Sequence, residues 1–131
     1  MFRKILLLIG LCFVISSASA IEFNCRAEYG GESATLTVKP VSDPYRFETT
    51  DSLGAFRFSA QYLSDQGKLK TYVYHYAKNR FVLIHAAEYS IAEANCQQYQ
   101  TSLGKHRVYS AKLEKEFNFQ CDSICASGLL K

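Results

Sequence analysis

AFRFSAQYL at positions 55–63, KLKTYVYHYA at 68–77 and RFVLIHAAEY at 80–89 decide the fold class of this 131-residue chain. Each run is rich in aromatic and β-branched residues, and apolar and polar side chains alternate with the period of two that a half-buried strand requires. Between the runs stand Ser64-Asp65-Gln66-Gly67 and Lys78-Asn79, residues suited to tight turns because Gly and Asn tolerate positive φ. The spacing predicts a meander of three antiparallel strands.

With Lys78-Asn79 as a two-residue loop, Ala77 opposes Arg80, Val73 opposes Ile84 and Tyr72 opposes His85. The four-residue loop sets Leu63 against Lys68, Phe58 against Val73 and Phe56 against His75. One face then carries Phe56, Phe58, Tyr62, Leu69, Val73, Val82, Ile84 and Ala86, with His75 among them, and is the expected core. The opposite face carries Arg57, Ser59, Gln61, Lys70, Tyr72, Tyr74, Tyr76, Phe81, Leu83 and His85. A slip of one residue in either hairpin would exchange the two faces.

Upstream, Ile21 to Tyr29 alternate strictly, with Phe23, Cys25 and Ala27 on the apolar side. Gly30-Gly31 turns the chain into a second strand carrying Ala34, Leu36 and Val38, which completes a hairpin. Pro40 to Pro44 reads as a loop, because proline lacks an amide donor and restrains the residue before it. Tyr45 to Thr50 reads as a short strand. Downstream, Ser90 with Glu93 makes a capping box, and Ala92, Ala94 and the Gln97-Gln98 pair favour a short helix that Gly104 ends. Lys105 to Ala111 and Glu114 to Cys121 return to strand, the latter with Phe117, Phe119 and Cys121 on one face. The expected fold is mainly β, an antiparallel sandwich or curved sheet of about seven or eight strands with one short helix.

Residues 1–20 read as a cleavable secretory signal: Arg3 and Lys4, an apolar run from Ile5 to Ile15, and Ala18-Ser19-Ala20 before the cleavage point. That run is well short of the roughly 20 apolar residues that span a bilayer. Cys12 lies inside it, but Leu11 stands where a lipidation signal wants a small residue. Residues 21–131 then form one domain of 111 residues, long enough to bury a core of its own. Its 13 basic and 12 acidic residues nearly cancel, and without a Lys/Arg cluster it lacks the electrostatic footprint of nucleic-acid binding.

Four cysteines remain, Cys25, Cys96, Cys121 and Cys125, an even number that reads as two disulfides in a periplasmic or secreted protein. A zinc site would show paired close spacings with nearby histidines, and only Cys121 and Cys125 are close. Cys25 and Cys121 each sit on the apolar face of a strand, so they are the expected bridge inside the core. Cys96 with Cys125 is the expected second bridge.

Chemistry is harder to find. His75 and His85 fall on opposite faces in the register above, His75 at the edge of the core, while His106 stands solvated between Lys105 and Arg107; no metal or cofactor is expected. Neither a Gly-x-Ser-x-Gly nor a His-Glu-x-x-His pattern occurs. Glu114 and Glu116 share a strand face, which more often means a solvated edge than a pair of working carboxylates.

The segments Phe56-Arg57-Phe58, Lys70-Thr71-Tyr72-Val73-Tyr74, Val82 to Tyr89, Arg107-Val108-Tyr109-Ser110 and the late Cys121 resemble small exported proteins of unknown role from Gram-negative bacteria. The resemblance covers most of the chain after residue 20. It implies an exported β domain and no particular chemistry. It is compatible with a Cys25 to Cys121 bridge, from which the additional Cys96 and Cys125 depart.

The expected function is therefore a binding module whose contact surface is Arg57, Tyr72, Tyr74, Tyr76 and His85. Tyrosines flanked by Arg and His offer flat apolar area and hydrogen-bond donors with little rotamer entropy to lose. Such rings stack on a sugar or fill pockets of a protein, so the expected partner is a protein or carbohydrate of the cell envelope or medium; inhibitors of extracellular enzymes and immunity proteins are typical jobs at this size. A structural or envelope-accessory role would instead bury the tyrosine face. A hydrolytic enzyme would bring titratable groups together around Glu88, His85 or Glu114.

Overall fold

The alternating run after residue 20 forms strand β1 (Ile21–Tyr29), and the Gly30-Gly31 turn, with φ of 60° and 83°, leads into β2 (Glu32–Val38). The computed structural model describes residues 21–51, 53–91, 102–110 and 114–125. Seven further strands follow among them: β3 (Pro40–Val41), β4 (Glu48–Thr49), β5 (Phe56–Leu63), β6 (Lys68–Ala77), β7 (Arg80–Ser90), β8 (Ser102–Tyr109) and β9 (Glu116–Cys125). They make two sheets, one in the order β2-β1-β9-β8, the other in the order β3-β5-β6-β7 with β4 also pairing with β5.

The two sheets face each other across a single core built from the apolar half of each alternating strand. Phe23, Cys25, Ala27, Phe117, Phe119 and Cys121 come from the first sheet, and Phe56, Phe58, Ala60, Leu69 and Val73 from the second. Rings join the layers: Phe56 lies 5.2 Å from Phe117, Phe58 4.9 Å from Phe119, and Phe23 meets Tyr62 edge-on at 4.9 Å. Aromatic pairs in these geometries add to the stabilisation that burial already gives.

Cys25 and Cys121 are directly opposed on the neighbouring strands β1 and β9 and are disulfide-bonded, with both residues buried. The bridge joins positions 96 apart in sequence. Cys125 is also disulfide-bonded, and its expected partner, Cys96, lies outside the described residues.

Several expectations are corrected. Pro40-Val41 is not loop: it pairs in parallel with Tyr62-Leu63, which proline permits at the first position of a strand on the sheet's edge. The strand expected over Tyr45 to Thr50 shrinks to Glu48-Thr49. Among the described residues there is no helix. Residues 92–101, where the helix was expected, lie outside them, but its two ends are strand: Ser90 closes β7, and Gly104, the expected stop, sits in β8 with φ of 87° where the β8–β9 register shifts. A glycine at positive φ serves a strand irregularity as well as a helix end.

Candidate functional site

The outer face of the second sheet is set by the register of its hairpins. On β5 and β6 that register is the expected one, with Phe56 opposite His75, Phe58 opposite Val73 and Leu63 opposite Lys68. The β6–β7 hairpin also starts as expected, Ala77 opposite Arg80 through a turn in which Lys78 and Asn79 have φ of 52° and 63°. Between Tyr74 and Val73 the register slips, because Tyr74 opposes Leu83 while Val73 opposes His85, so Ile84 is an inserted bulge residue. Beyond a bulge the two faces of a strand exchange.

That exchange removes His85 from the tyrosine face. It lies opposite buried Val73, with its ring 5.7 Å from Phe119 and 6.2 Å from His106, in the seam where β7 of one sheet meets β8 of the other. His106 is not solvated either: its ring stacks on Phe119 at 4.8 Å, and its Nε2 shares a 2.8 Å hydrogen bond with the Tyr89 hydroxyl. Burial, and to a lesser degree the positive charge of His106, holds His85 below the ordinary histidine range. Ala86 moves the other way, out of the expected core, to lie opposite Tyr72.

His75 sits at the core edge as expected, its ring 4.9 Å from Phe56, yet its Nε2 is buried without a hydrogen-bond partner among the described residues. His75 and His85 now share the inner face, in contrast to the opposite faces expected, but face Val82 and Val73 respectively and do not converge. Among the described residues no three His, Cys, Asp or Glu side chains come together as a metal site needs.

The remaining residues of the tyrosine face stay together. Tyr74 faces Arg57 on one side and Leu83 on the other, and Tyr76 faces Phe81. The Arg57 guanidinium lies 3.8 Å from the centre of the Phe81 ring, and Tyr76 meets the same ring edge-on at 5.2 Å. Tyr76 is 47% and Leu83 49% exposed, values that matter because large apolar side chains so open at one place are unusual on a monomer. Sequence alternation alone placed Phe81 and Leu83 on this face but gave no sign that the arginine would be mounted on the former.

The other end of the face is covered. The segment linking β3 to β4 crosses it: the Gln61 side-chain amide donates to the carbonyls of Asp43 and Arg46, and Ser59, Gln61 and Leu63 are buried beneath. Phe47 then meets Tyr72 edge-on at 5.6 Å, so Tyr72 is half-buried rather than free. Tyr45, 89% exposed, stands at the tip of this segment, where its amide is fixed by the Asp43 carboxylate. The sequence reads this segment as loop as far as Pro44 and as strand from Tyr45, and neither reading reveals a cover, which can be recognised only once the strand beneath it is placed.

Comparison of the chain with family models, with curated proteins and with solved structures finds no match. The face must therefore be read from its own chemistry.

Two shallow cavities, of about 240 and 250 Å³, lie on the outer face of the first sheet around the Arg26 to Glu28 ion pair. Most of their lining residues are polar or charged, Asn118 in both and Gln120 and Asp122 in the first, with Phe119 in the first and Tyr29 in the second. The carboxylates considered for catalysis are dispersed: Glu88 faces outward and is held below the usual carboxylate range by its hydrogen bond to Lys68, Glu116 pairs with Arg107 at 3.7 Å, and Glu114 is exposed ahead of β9.

Proposed function

We propose that the chain is an exported binding module, periplasmic or secreted, that docks a partner on the open half of its second sheet. Arg57, Tyr74, Tyr76, Phe81 and Leu83 would form the contact, with Phe47 and Tyr45 at its rim. The observation that carries this reading is Arg57 itself. It is half-buried over Phe81, it makes no ion pair among the described residues, and its face carries half-buried Tyr74 and Phe81 with exposed Tyr76 and Leu83. Arginine and tyrosine in partly desolvated clusters are the residue types that dominate the energy of protein interfaces.

The disulfide supports the compartment, since such bonds persist where the surroundings are oxidising. A structural, envelope-accessory role remains the second reading, favoured by the one observation that the chain already covers Tyr72 and Gln61 with its own loop. Co-purification from envelope and culture-medium extracts separates the two. The oxidised protein is compared with a Tyr74→Ser, Tyr76→Ser, Leu83→Ser variant whose thermal midpoint is checked first. A partner retained by the parent and lost by the variant is expected; equal capture by both, or by neither, overturns the reading.

A further inference from the structure

We infer that the partner is a protein presenting an aspartate or glutamate flanked by apolar side chains, and that Arg57 receives the carboxylate; this rests on the binding reading above. The outward positions of β5, β6 and β7 carry four charged residues, Arg57, Lys68, Lys70 and Glu88. Glu88 is engaged by Lys68 at 2.6 Å. On these strands three cations face one carboxylate, and the segment that crosses the face adds Arg46 and Asp43, which cancel, so the face keeps a net positive charge and is complementary to an anion.

Arg57 is the cation built to receive it. Stacking on Phe81 occupies one plane of the guanidinium but leaves its in-plane N–H groups, which match a carboxylate edge-on in a bidentate pair. Partial burial makes that pair stronger than one formed in open water, and the ring beneath fixes the direction of approach. Lys70, two strand rows away on the neighbouring strand, adds charge without such orientation.

The same geometry argues for a protein rather than an acidic glycan. Sugars stack on free ring faces. Here the Phe81 face is taken by Arg57, Phe81 and Tyr76 are locked edge to face, and Tyr72 is met by Phe47. Two positions from Phe81 on the same face of β7, across Tyr74 from Arg57, the open surface is Leu83, an aliphatic group whose exposed half calls for an apolar side chain. A carboxylate bordered by apolar residues is what an acidic loop or strand of a protein supplies.

The test is selection of a random dodecapeptide display library on the immobilised oxidised protein, followed by affinity measurements on synthetic peptides. The expected winners carry Asp or Glu beside aliphatic or aromatic residues. Arg57→Gln should weaken such a peptide by about tenfold or more, and Arg57→Lys by less. Changing the peptide's acid to its amide should cost the same factor, and should cost nothing further once Arg57 is already Gln, the signature of a direct pair. Peptides that depend on Leu83 but lack an acid would overturn the inference while leaving the binding face intact. Peptides indifferent to both Arg57→Gln and Leu83→Asp would overturn both. Binding of polygalacturonate that Arg57→Gln abolishes, with no acidic peptides selected, would put a glycan in place of the protein.

Discussion

Replacing Cys25 and Cys121 together by alanine should remove a large part of the domain's stability. The bridge closes a loop between residues 96 apart, for which the chain-entropy relation gives about 4.7 kcal/mol at 25 °C. The native geometry needs no rearrangement to lose it, because β1 and β9 remain paired from Ile21 to Glu28 by their backbone ladder. Both cysteines are buried in the same core cluster as Phe23 and Phe119, so the two alanines also give up some apolar packing. Against a total of roughly 5–15 kcal/mol for a domain of this size, little reserve would remain. The double substitution is better than a reductant, since Cys125 is disulfide-bonded as well and must stay so. The assay is urea unfolding followed by far-UV circular dichroism and tyrosine emission, the chain having no tryptophan. With a slope of about 1–2 kcal/mol per molar, the midpoint should fall by about 2.4 to 4.7 M. A fall of less than about 0.5 M with an unchanged slope would refute the reasoning, for it would mean that the unfolded chain gains little freedom when the bridge is removed.

Three further outcomes are expected. His85 has its pKa lowered in the folded state, so the unfolded chain binds more protons as the pH drops below the ordinary histidine value near 6.5; stability present above that pH is lost on acidification, and His85→Gln should flatten urea midpoints measured between pH 7.5 and 5.5. Gly54→Ala should lower the thermal midpoint, because Gly54 has φ of +59° and a Cβ there would stand 2.4 Å from the Tyr29 ring that packs on Phe56; about 1–2 kcal/mol comes from the backbone alone. Lys78→Asn with Asn79→Gly should raise stability by about 1 kcal/mol in the same melt, since both positions already hold positive φ and the new pair suits that turn better.

Much of this architecture is written in simple alternation. β1 and β2 separate apolar from polar side chains cleanly, and β5 and β6 do so well enough that Phe56, Phe58, Leu69 and Val73 mark their inner faces, and Cys25 and Cys121 fall into register because both belong to apolar faces. β7 differs. Its run Phe81-Val82-Leu83-Ile84 is apolar on both sides, so nothing in it marks where one residue is inserted, and the bulge at Ile84 sends His85 inward and Ala86 outward. Gly104 misled for a related reason, as the same residue ends a helix or relaxes a strand irregularity, and only pairing with β9 distinguishes them. Of the surface residues, Arg57, Tyr74 and Tyr76 were legible from parity. The partial covering of Tyr72 was not, because Phe47, read as part of a strand over Tyr45 to Thr50, lies ahead of the two-residue strand that forms there and reaches across the sheet instead.

The most direct test of the binding face is photo-crosslinking in the cells that make the protein. Benzoylphenylalanine is placed at Tyr76, in the open half of the second sheet, and separately at Thr35, which is exposed on β2 of the first sheet. A discrete adduct from position 76, reduced by Arg57→Gln and lacking from position 35, is the predicted result. No adduct at 76, or the same adduct from both positions, would contradict the assignment of this face as the site where the protein works.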